Sequence, residues 1–239
     1  MDDLFRKMGR KAGKTYARGK WAFQSVFGSE SDSIEAEKIL GRELAGDVRA
    51  QFPPVENDSL QNEIVAIGNQ LKDFLQNPSR DYRFSVIQSP DINAFALPGG
   101  FIFLTENLLS LEGITTHDVA FVLSHEIGHI IRGHPFDRFM ADTTLKLIAK
   151  GSHTGHLVSG ALQKTAIKLL QSSYSREQEL EADWFGIRLM SRAGYDAKSS
   201  IHALELLDNS RDDQDEFHYF STHPAIQKRI AEIRYRVKF

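Results

Sequence analysis

The chain of 239 residues is long enough to bury the core of one domain. Its formal net charge of −3 argues against a nucleic-acid partner, and the absence of cysteine excludes disulfides and thiolate metal ligands, so any metal must be bound by His, Asp or Glu. No apolar run approaches the ~18 residues that cross a bilayer and no secretory signal is visible, so a cytoplasmic location is expected.

The N-terminal segment, residues 1–30, is expected to be distinct from a domain formed by residues 31–239. Residues 1–29 contain seven cations against Asp2 and Asp3, which gives them a charge of +5. One interpretation is a helix that lies on an anionic membrane surface and makes the protein peripheral to a membrane. The preferred interpretation is a basic tail or a helix docked on the domain, because the apolar stripe is thin. A transit peptide is a third interpretation, which the two leading acids disfavour.

Hydrophobic spacing and turn residues predict helices on both sides of a small sheet. Helices are predicted over about 31–52 and 57–77, and a strand over 82–88. Two shorter strands, 95–97 and 101–104, are joined by Pro98-Gly99-Gly100, in which Pro then Gly fits the central positions of a type II turn. The later part is predicted to be helical over 116–132, 137–150, 157–172, 175–193, 197–209 and 224–236. This order predicts a mainly helical protein of the α+β class.

The segment His125-Glu126-Ile127-Gly128-His129 has the spacing of a metal site on a helix. Residues i and i+4 lie on one helix face with Cβ atoms ~5–6 Å apart, so His125 and His129 can direct ring nitrogens to one zinc ion. Glu126 leaves the same turn at another angle and can act as a general base on water. The helix is mostly apolar, and buried histidines beside a carboxylate need a compensating partner such as a metal. Because the pattern also arises by chance, a second feature must decide.

A third protein ligand must come from another part of the chain, since a catalytic zinc site uses three and leaves one position for water. The metzincin pattern fails because its glycine and its third histidine are replaced, and a cysteine ligand is excluded. Glu179 and Asp183 remain, at i and i+4 in a segment with several apolar residues. Glu179 can bind the metal, while Asp183 can accept a hydrogen bond from a ligand histidine and fix its tautomer. Glu177 and Glu181 are assigned to the solvated face.

Four short segments, in this order along the chain, carry a family resemblance. They are NAFALPGG at 93–100, SHEIGH at 124–129, Ser175-Arg176 with Glu179, Ala182 and Asp183, and STHP at 221–224 with Arg229-Ile230. Together they resemble the CAAX-prenyl-protease and heat-shock-protease family of gluzincins over about residues 85–235. The resemblance is to soluble, bacterial and mitochondrial quality-control members, because the long apolar helices of the membrane-spanning members are missing.

The resemblance implies a zincin-like metallopeptidase domain with one zinc ion per chain. It implies that His125, His129 and Glu179 hold the zinc and that Glu126 is catalytic. It also suggests that the strand over 93–97 borders the active-site cleft.

That strand makes physical sense as a platform for a substrate. An edge strand can pair with an extended peptide through main-chain hydrogen bonds. Asn93, Ala94, Phe95 and Ala96 are therefore the candidate substrate-binding residues, with Ala94 and Ala96 expected to keep one side of the strand open. A purely structural hairpin is compatible with the same pattern.

His223 is open to three interpretations. The preferred one is a catalytic donor that stabilises charge in the transition state. In the second, His223 is a fourth zinc ligand that displaces water and holds the enzyme latent. In the third, it is only the residue before Pro224 at a helix start. His134, beside Gly133 at the end of the zinc helix, is expected to be structural.

These residues predict a zinc-dependent endopeptidase that hydrolyses extended or misfolded polypeptide segments. One alternative is a zinc-stabilised, chaperone-like peptide-binding module, against which Glu126 argues because a scaffold needs no general base. The other alternative is the latent peptidase in which His223 closes the metal site.

Overall fold

The computed structural model describes residues 30–75, 80–139, 173–210 and 219–237. The strands are β1 (Arg83–Ile87), β2 (Ala94–Leu97) and β3 (Phe101–Thr105). The helices are α1 (Glu30–Gln51), α2 (Asp58–Lys72), α3 (Glu106–Leu109), α4 (Thr116–Arg132), α5 (Arg176–Arg192), α6 (Ser199–Asn209), α7 (Tyr219–Thr222) and α8 (Ile226–Arg236), and residues 134–139 are also helical. The basic segment 1–29 lies outside the described residues. So do the predicted helix over 157–172 and the part of the predicted helix 137–150 that follows residue 139.

The three strands form one sheet in the order β1-β3-β2. β1 runs parallel to β3 with Arg83 opposite Phe101, and β2 runs antiparallel to β3 with Ala94 opposite Leu104. The turn between β2 and β3 has Gly99 at φ 76°, ψ 12°, which is the third position of the predicted type II turn. The predicted α+β class and the three predicted strands are therefore confirmed.

The hairpin turn is fixed by a close approach of α1. A Cβ atom built on Gly41 would lie 1.8 Å from the Pro98 carbonyl oxygen, so only glycine allows this contact. Beyond it, Leu40 and Leu44 of α1 pack in a second core cluster with the outer face of the sheet. α1 thereby covers the face of the sheet opposite to α4.

The main core lies between the sheet and the helices α2, α4, α5, α6 and α8. Side chains alternate along β2, so Ala94 and Ala96 enter this main core while Phe95 and Leu97 enter the second cluster. Small alanines on the inner face allow α4 to pack directly on the sheet. α4 is consequently buried between the sheet and the later helices.

The bounds of α1, α4, α5, α6 and α8 lie within two residues of the predicted ranges, whereas α2 departs further at its end. The Asn57 side chain accepts a hydrogen bond from the Leu60 amide and starts α2 as predicted. α2 ends at Lys72, before the predicted end at residue 77. Among the described helices, none is long and apolar enough to cross a membrane.

Candidate active site

α4 carries the His-Glu-x-x-His residues on a buried helix with defined ends. Thr115 and Asp118 form a reciprocal capping box at its start, and Gly133 ends it with φ 76°. Nε2 of His125 lies 3.1 Å from Nε2 of His129, and both side chains are fully buried. The i, i+4 spacing therefore brings the two ring nitrogens to one point, as the sequence predicts.

α5 packs against α4 closely enough to bring its acids to the same point. A Cβ atom on Gly186 would lie 3.0 Å from the backbone nitrogen of His125, so this crossing leaves little room for a side chain. The close approach places Glu179 Oε1 3.3 Å from His129 Nε2. It also places Asp183 Oδ1 2.9 Å from His125 Nδ1, the ring nitrogen that faces away from the cluster.

His223 enters the cluster from the short segment that contains α7. Two backbone hydrogen bonds hold this segment: the Tyr219 amide donates to the Ile92 carbonyl at 3.1 Å and the Tyr174 amide to the Thr222 carbonyl at 3.0 Å. The His223 ring stacks on Tyr219 with 4.3 Å between centroids. Its position is therefore set by the start of β2 and by the residues that precede α5.

The two ring nitrogens of His223 face different groups. Nδ1 lies 3.3 Å from His125 Nε2 and 3.0 Å from Glu179 Oε1. Nε2 lies 3.4 Å from Glu126 Oε1. His223 is thus positioned both as a member of the cluster and as a neighbour of Glu126.

The residues His125, His129, Glu179 and His223 fit a zinc ion. Their four candidate ligand atoms lie within 4.8 Å of one another, and the separations given above are 3.0–3.3 Å. Ligand atoms of a tetrahedral site with bonds of ~2.0–2.1 Å are about 3.3–3.4 Å apart, so these four separations are close to those of a zinc site, and imidazole and carboxylate are ligands that zinc takes.

The buried charges also favour a divalent cation. Glu126, Glu179 and Asp183 carry three negative charges and Arg229 one positive charge, all fully buried, so with neutral histidines they sum to −2. Neither carboxylate oxygen of Glu126 has a hydrogen-bond partner among the described residues. Buried charges need compensation, and a 2+ ion would bring this sum to zero.

Arg229 of α8 joins the two acids of α5. Its Nε and Nη2 lie 2.8 and 2.6 Å from the two oxygens of Asp183, and its Nη1 lies 2.6 Å from Glu179 Oε2. Burial favours protonation of the acids, but for Asp183 the charge of Arg229 and the hydrogen bonds from His125 and Arg229 together outweigh it and lower the pKa. For Glu179, the electrostatic interaction with His223 and then that with Arg229 hold the pKa well below its usual value. Both acids are therefore ionised, and Glu179 keeps Oε1 directed at the histidines.

His129 is supported by aromatic and polar neighbours on its outer side. Its ring stacks on Tyr174 with 3.9 Å between centroids, and its Nδ1 lies 2.9 Å from Nδ1 of His134. Burial lowers the pKa of His129 well below its usual value and that of His134 to about 4. At neutral pH both rings are thus uncharged, the form in which histidine binds a metal.

The predicted substrate strand is partly corrected by the structure. β2 is an edge strand of the described sheet, and it packs on α4. The side chains of Ala94 and Ala96 are buried in the main core, so they do not keep a side of the strand open as expected. Asn93 and Phe95 are buried too, and only the backbone of this strand is a candidate for peptide pairing.

Two residues contact the site in ways that the sequence does not predict. Arg229 stands in one of the four matching segments without a predicted role, although an arginine among Ile226, Ile230 and Ile233 on the buried face of α8 signals a buried charge partner. His134 was expected to be a helix-end residue. Its contact with His129 five residues earlier has no periodic signal, because His134 lies beyond the helix end at Gly133.

A histidine pair and a glutamate on two packed helices, with a second glutamate beside them, define the site of a metallopeptidase of the His-Glu-x-x-His type. The chain belongs to Peptidase family M48, whose model matches residues 58–237. The family expected from the four sequence segments is thereby confirmed.

Curated relatives carry protease names. The chain is 32% identical over 207 residues to the mitochondrial metalloendopeptidase OMA1 of Schizosaccharomyces pombe, which covers 84% of this chain and 61% of that protein. It is 27% identical over 219 residues to the beta-barrel assembly-enhancing protease of Escherichia coli, with 85% and 44% covered. Metalloprotease LoiP of Escherichia coli is 26% identical over 227 residues, with 92% and 86% covered. The chain thus spans between 44% and 61% of the length of the first two relatives.

Proposed function

We propose that this protein is a zinc-dependent endopeptidase that cuts extended or misfolded polypeptide segments. The observation that carries the proposal is the convergence of His125, His129 and Glu179 on one point, with Glu126 on the adjacent turn of the same helix. Two histidines and one carboxylate are the ligand set of a catalytic zinc site, and one zinc per chain satisfies them. Bound zinc would polarise the scissile carbonyl group and make water a stronger acid.

Glu126 is the general base in this proposal. Its carboxylate is fully buried, and neither oxygen has a hydrogen-bond partner among the described residues, so both remain able to accept a proton from water. A base held within a helix between packed neighbours loses little entropy when it acts. The same residue can then return the proton to the leaving amine, which completes hydrolysis without a covalent intermediate.

Asp183 and Arg229 orient the ligands. Asp183 accepts the hydrogen of His125 Nδ1, which leaves Nε2 with its lone pair toward the metal. Arg229 binds Glu179 Oε2 and so leaves Oε1 as the donor to the metal. Asp183 and Arg229 therefore decide which atom of His125 and of Glu179 is available.

The backbone of β2 is the proposed platform for the substrate. β2 pairs with β3 on one side only within the described sheet, and the strand contacts the zinc helix. A peptide paired with such an edge is extended along its whole contact, which favours cleavage within a chain over removal of a terminal residue. The name of the Schizosaccharomyces pombe relative, a metalloendopeptidase, supports the same assignment.

A latent resting state is the second candidate, and the geometry of His223 favours it. His223 Nδ1 lies 3.3 Å from His125 Nε2 and 3.0 Å from Glu179 Oε1, which suits a fourth ligand better than a donor aimed at a substrate. In this arrangement, His223 would take the position that water needs. Its other nitrogen, 3.4 Å from Glu126, keeps the transition-state role available once the ring moves. The chaperone-like module is disfavoured, because it gives Glu126 no purpose.

We also propose a compartment and partners for this protein. We infer a polypeptide substrate, no nucleic-acid partner, and a cytoplasmic location or one that is peripheral to a membrane surface. Peripheral contact would use the basic residues 1–29. Flotation with anionic vesicles, compared between the full chain and a chain that begins at residue 30, tests that contact.

The test of the proposed activity is cleavage of a permanently unfolded polypeptide by the full chain. We expect internal cuts, loss of cleavage with a zinc chelator, and recovery on addition of one equivalent of zinc. Release of terminal residues alone would contradict the endopeptidase assignment. Cleavage that persists in the chelator would contradict the metal assignment.

A further inference from the structure

We propose that His134 and Glu181 are positioning residues for the ligand His129, acting through a directed chain of hydrogen-bonding groups that reaches the protein surface. This inference rests on the proposed zinc site and deepens it. It assigns to His129 its own hydrogen-bonding partners, separate from the buried ion pair that orients His125.

The proton positions in this chain follow from the geometry. If His129 binds the metal through Nε2, its Nδ1 must carry the ring hydrogen. Nδ1 of His134 lies 2.9 Å from that nitrogen and must therefore accept the hydrogen bond. The hydrogen of the His134 ring is then on Nε2, which faces Glu181 Oε2 at 3.5 Å.

Each link in the chain favours the tautomer that the metal needs. The Glu181 carboxylate attracts the hydrogen on Nε2 of His134, and this keeps the lone pair on Nδ1. That lone pair holds the hydrogen of His129 on Nδ1, and His129 Nε2 is left free to bind the metal. A neutral histidine without such a partner divides its population between two tautomers, only one of which can bind here.

The two ligand histidines are therefore supported differently. His125 is backed by Asp183 and Arg229, which are fully buried. His129 is backed by His134, whose side chain is 6% exposed, and then by Glu181, whose side chain is 55% exposed. Arg132 lies 3.9 Å from the same oxygen of Glu181 and helps to keep that carboxylate over the ring. His134 and Glu181 thus connect a metal ligand to a solvated charge.

The decisive experiment measures zinc affinity in full-length Glu126→Gln protein, in which cleavage does not interfere. Zinc is titrated against a competing chromogenic chelator for the parent, for His134→Leu, which removes the acceptor, and for His134→Gln, which retains an acceptor oxygen. We expect His134→Leu to weaken zinc binding about 10- to 100-fold and His134→Gln to recover part of the loss. Affinity unchanged in His134→Leu would overturn the inference.

A second measurement separates positioning from simple packing. Thermal unfolding is followed with and without zinc, and the zinc-induced increase in Tm is compared among the variants. A positioning role predicts a smaller increase in His134→Leu, because the increase depends on the zinc affinity. Equal losses of Tm with and without zinc, at parental affinity, would show that His134 is only structural.

The Glu181 link has a matched control on the same helix. Glu181→Gln removes the charge, and we expect zinc binding to weaken about two- to fivefold. Glu177→Gln changes an exposed acid of α5 that lies next to Arg176 instead, and zinc binding should not change. Equal zinc affinities of Glu181→Gln and Glu177→Gln would overturn the role of Glu181. This comparison tests the proposed hydrogen-bonding groups even if His134→Leu does not fold.

Failure of the proposed function has a different signature. If the Glu126→Gln parent binds no zinc, the metal site itself is wrong. If the parent binds zinc tightly and the His134 and Glu181 variants bind it equally well, the metal site stands. Only the proposed positioning role of His134 and Glu181 is then wrong.

Discussion

Arg229 and Asp183 form a fully buried two-point ion pair, with Nε and Nη2 of the arginine 2.8 and 2.6 Å from the two carboxylate oxygens. The pair links α8 to α5. It also orients His125, because the Asp183 carboxylate can accept a hydrogen bond from His125 Nδ1 as well. A buried pair of this kind adds little net stability by itself, but removing one partner leaves an uncompensated charge. Its main contribution is to fix which atoms face the metal.

Arg229→Met should lower the free energy of unfolding by about 3–5 kcal/mol, because Asp183 is then left buried without its partner. The change is measured by urea denaturation in a chelator, so that zinc does not contribute. The double variant Arg229→Met with Asp183→Leu should lose less than the sum of the single losses. Additive losses would show that the two residues act independently.

The crossing of α4 and α5 leaves little room for a side chain at Gly186. A Cβ atom there would lie 3.0 Å from the His125 nitrogen, so Gly186→Ala should push the helices apart and lower stability by about 1–3 kcal/mol. Zinc affinity should fall too, because the ligands His129 and Glu179 lie on the two helices that would be pushed apart. Both quantities are measured on the purified variant.

Gly46→Ala is the matched control. Gly46 lies inside α1, where a Cβ atom would meet nothing within 4 Å, so the substitution should stabilise the protein by about 0.5–1 kcal/mol. If Gly186→Ala were equally stabilising, the close packing at the metal site would be disproved.

The protein without metal should lose stability as the pH falls below about 6.5. Burial lowers the pKa of His134 to about 4, so the unfolded chain binds its proton first and the free energy of unfolding decreases from about pH 6.5 towards pH 4. His134 alone should account for about 2 kcal/mol between pH 7.5 and pH 5. Urea denaturation in a chelator at both pH values, for wild type and His134→Leu, measures this share. An equal decrease in the two proteins would contradict it.

His223→Ala tests the latent state. If His223 takes the fourth position around the metal, its removal should raise the cleavage rate about tenfold or more while zinc stays bound. If it serves only as a donor to the transition state, the rate should fall by about 10²–10³. Initial rates on an unfolded polypeptide, with zinc content measured on the same sample, separate the two outcomes.

The local parts of this site are readable from the sequence. The i, i+4 spacing of His125 and His129 is a property of one helix, and Glu179 and Asp183 stand out as acids in a helix with several apolar residues. The three strands and the turn at Gly99 also follow from local patterns. These features depend on short-range geometry, which sequence periodicity encodes directly.

The contacts between distant segments are not readable in this way. Arg229 meets Asp183 across 46 residues, and no spacing rule specifies that pairing. The alternation along β2 predicts two faces, but it does not reveal that α4 covers the face of Ala94 and Ala96. His134 reaches His129 from beyond the end of α4, where Gly133 has a φ of 76°. Tertiary packing decides these contacts.

The most direct test of the central claim compares zinc content and cleavage in wild type and Glu126→Gln. The substitution keeps the shape of the side chain and removes its basicity. We predict one zinc per chain in both proteins, with cleavage of an unfolded polypeptide reduced at least 10²-fold in the variant. Cleavage at the wild-type rate in zinc-loaded Glu126→Gln would contradict the proposed peptidase site.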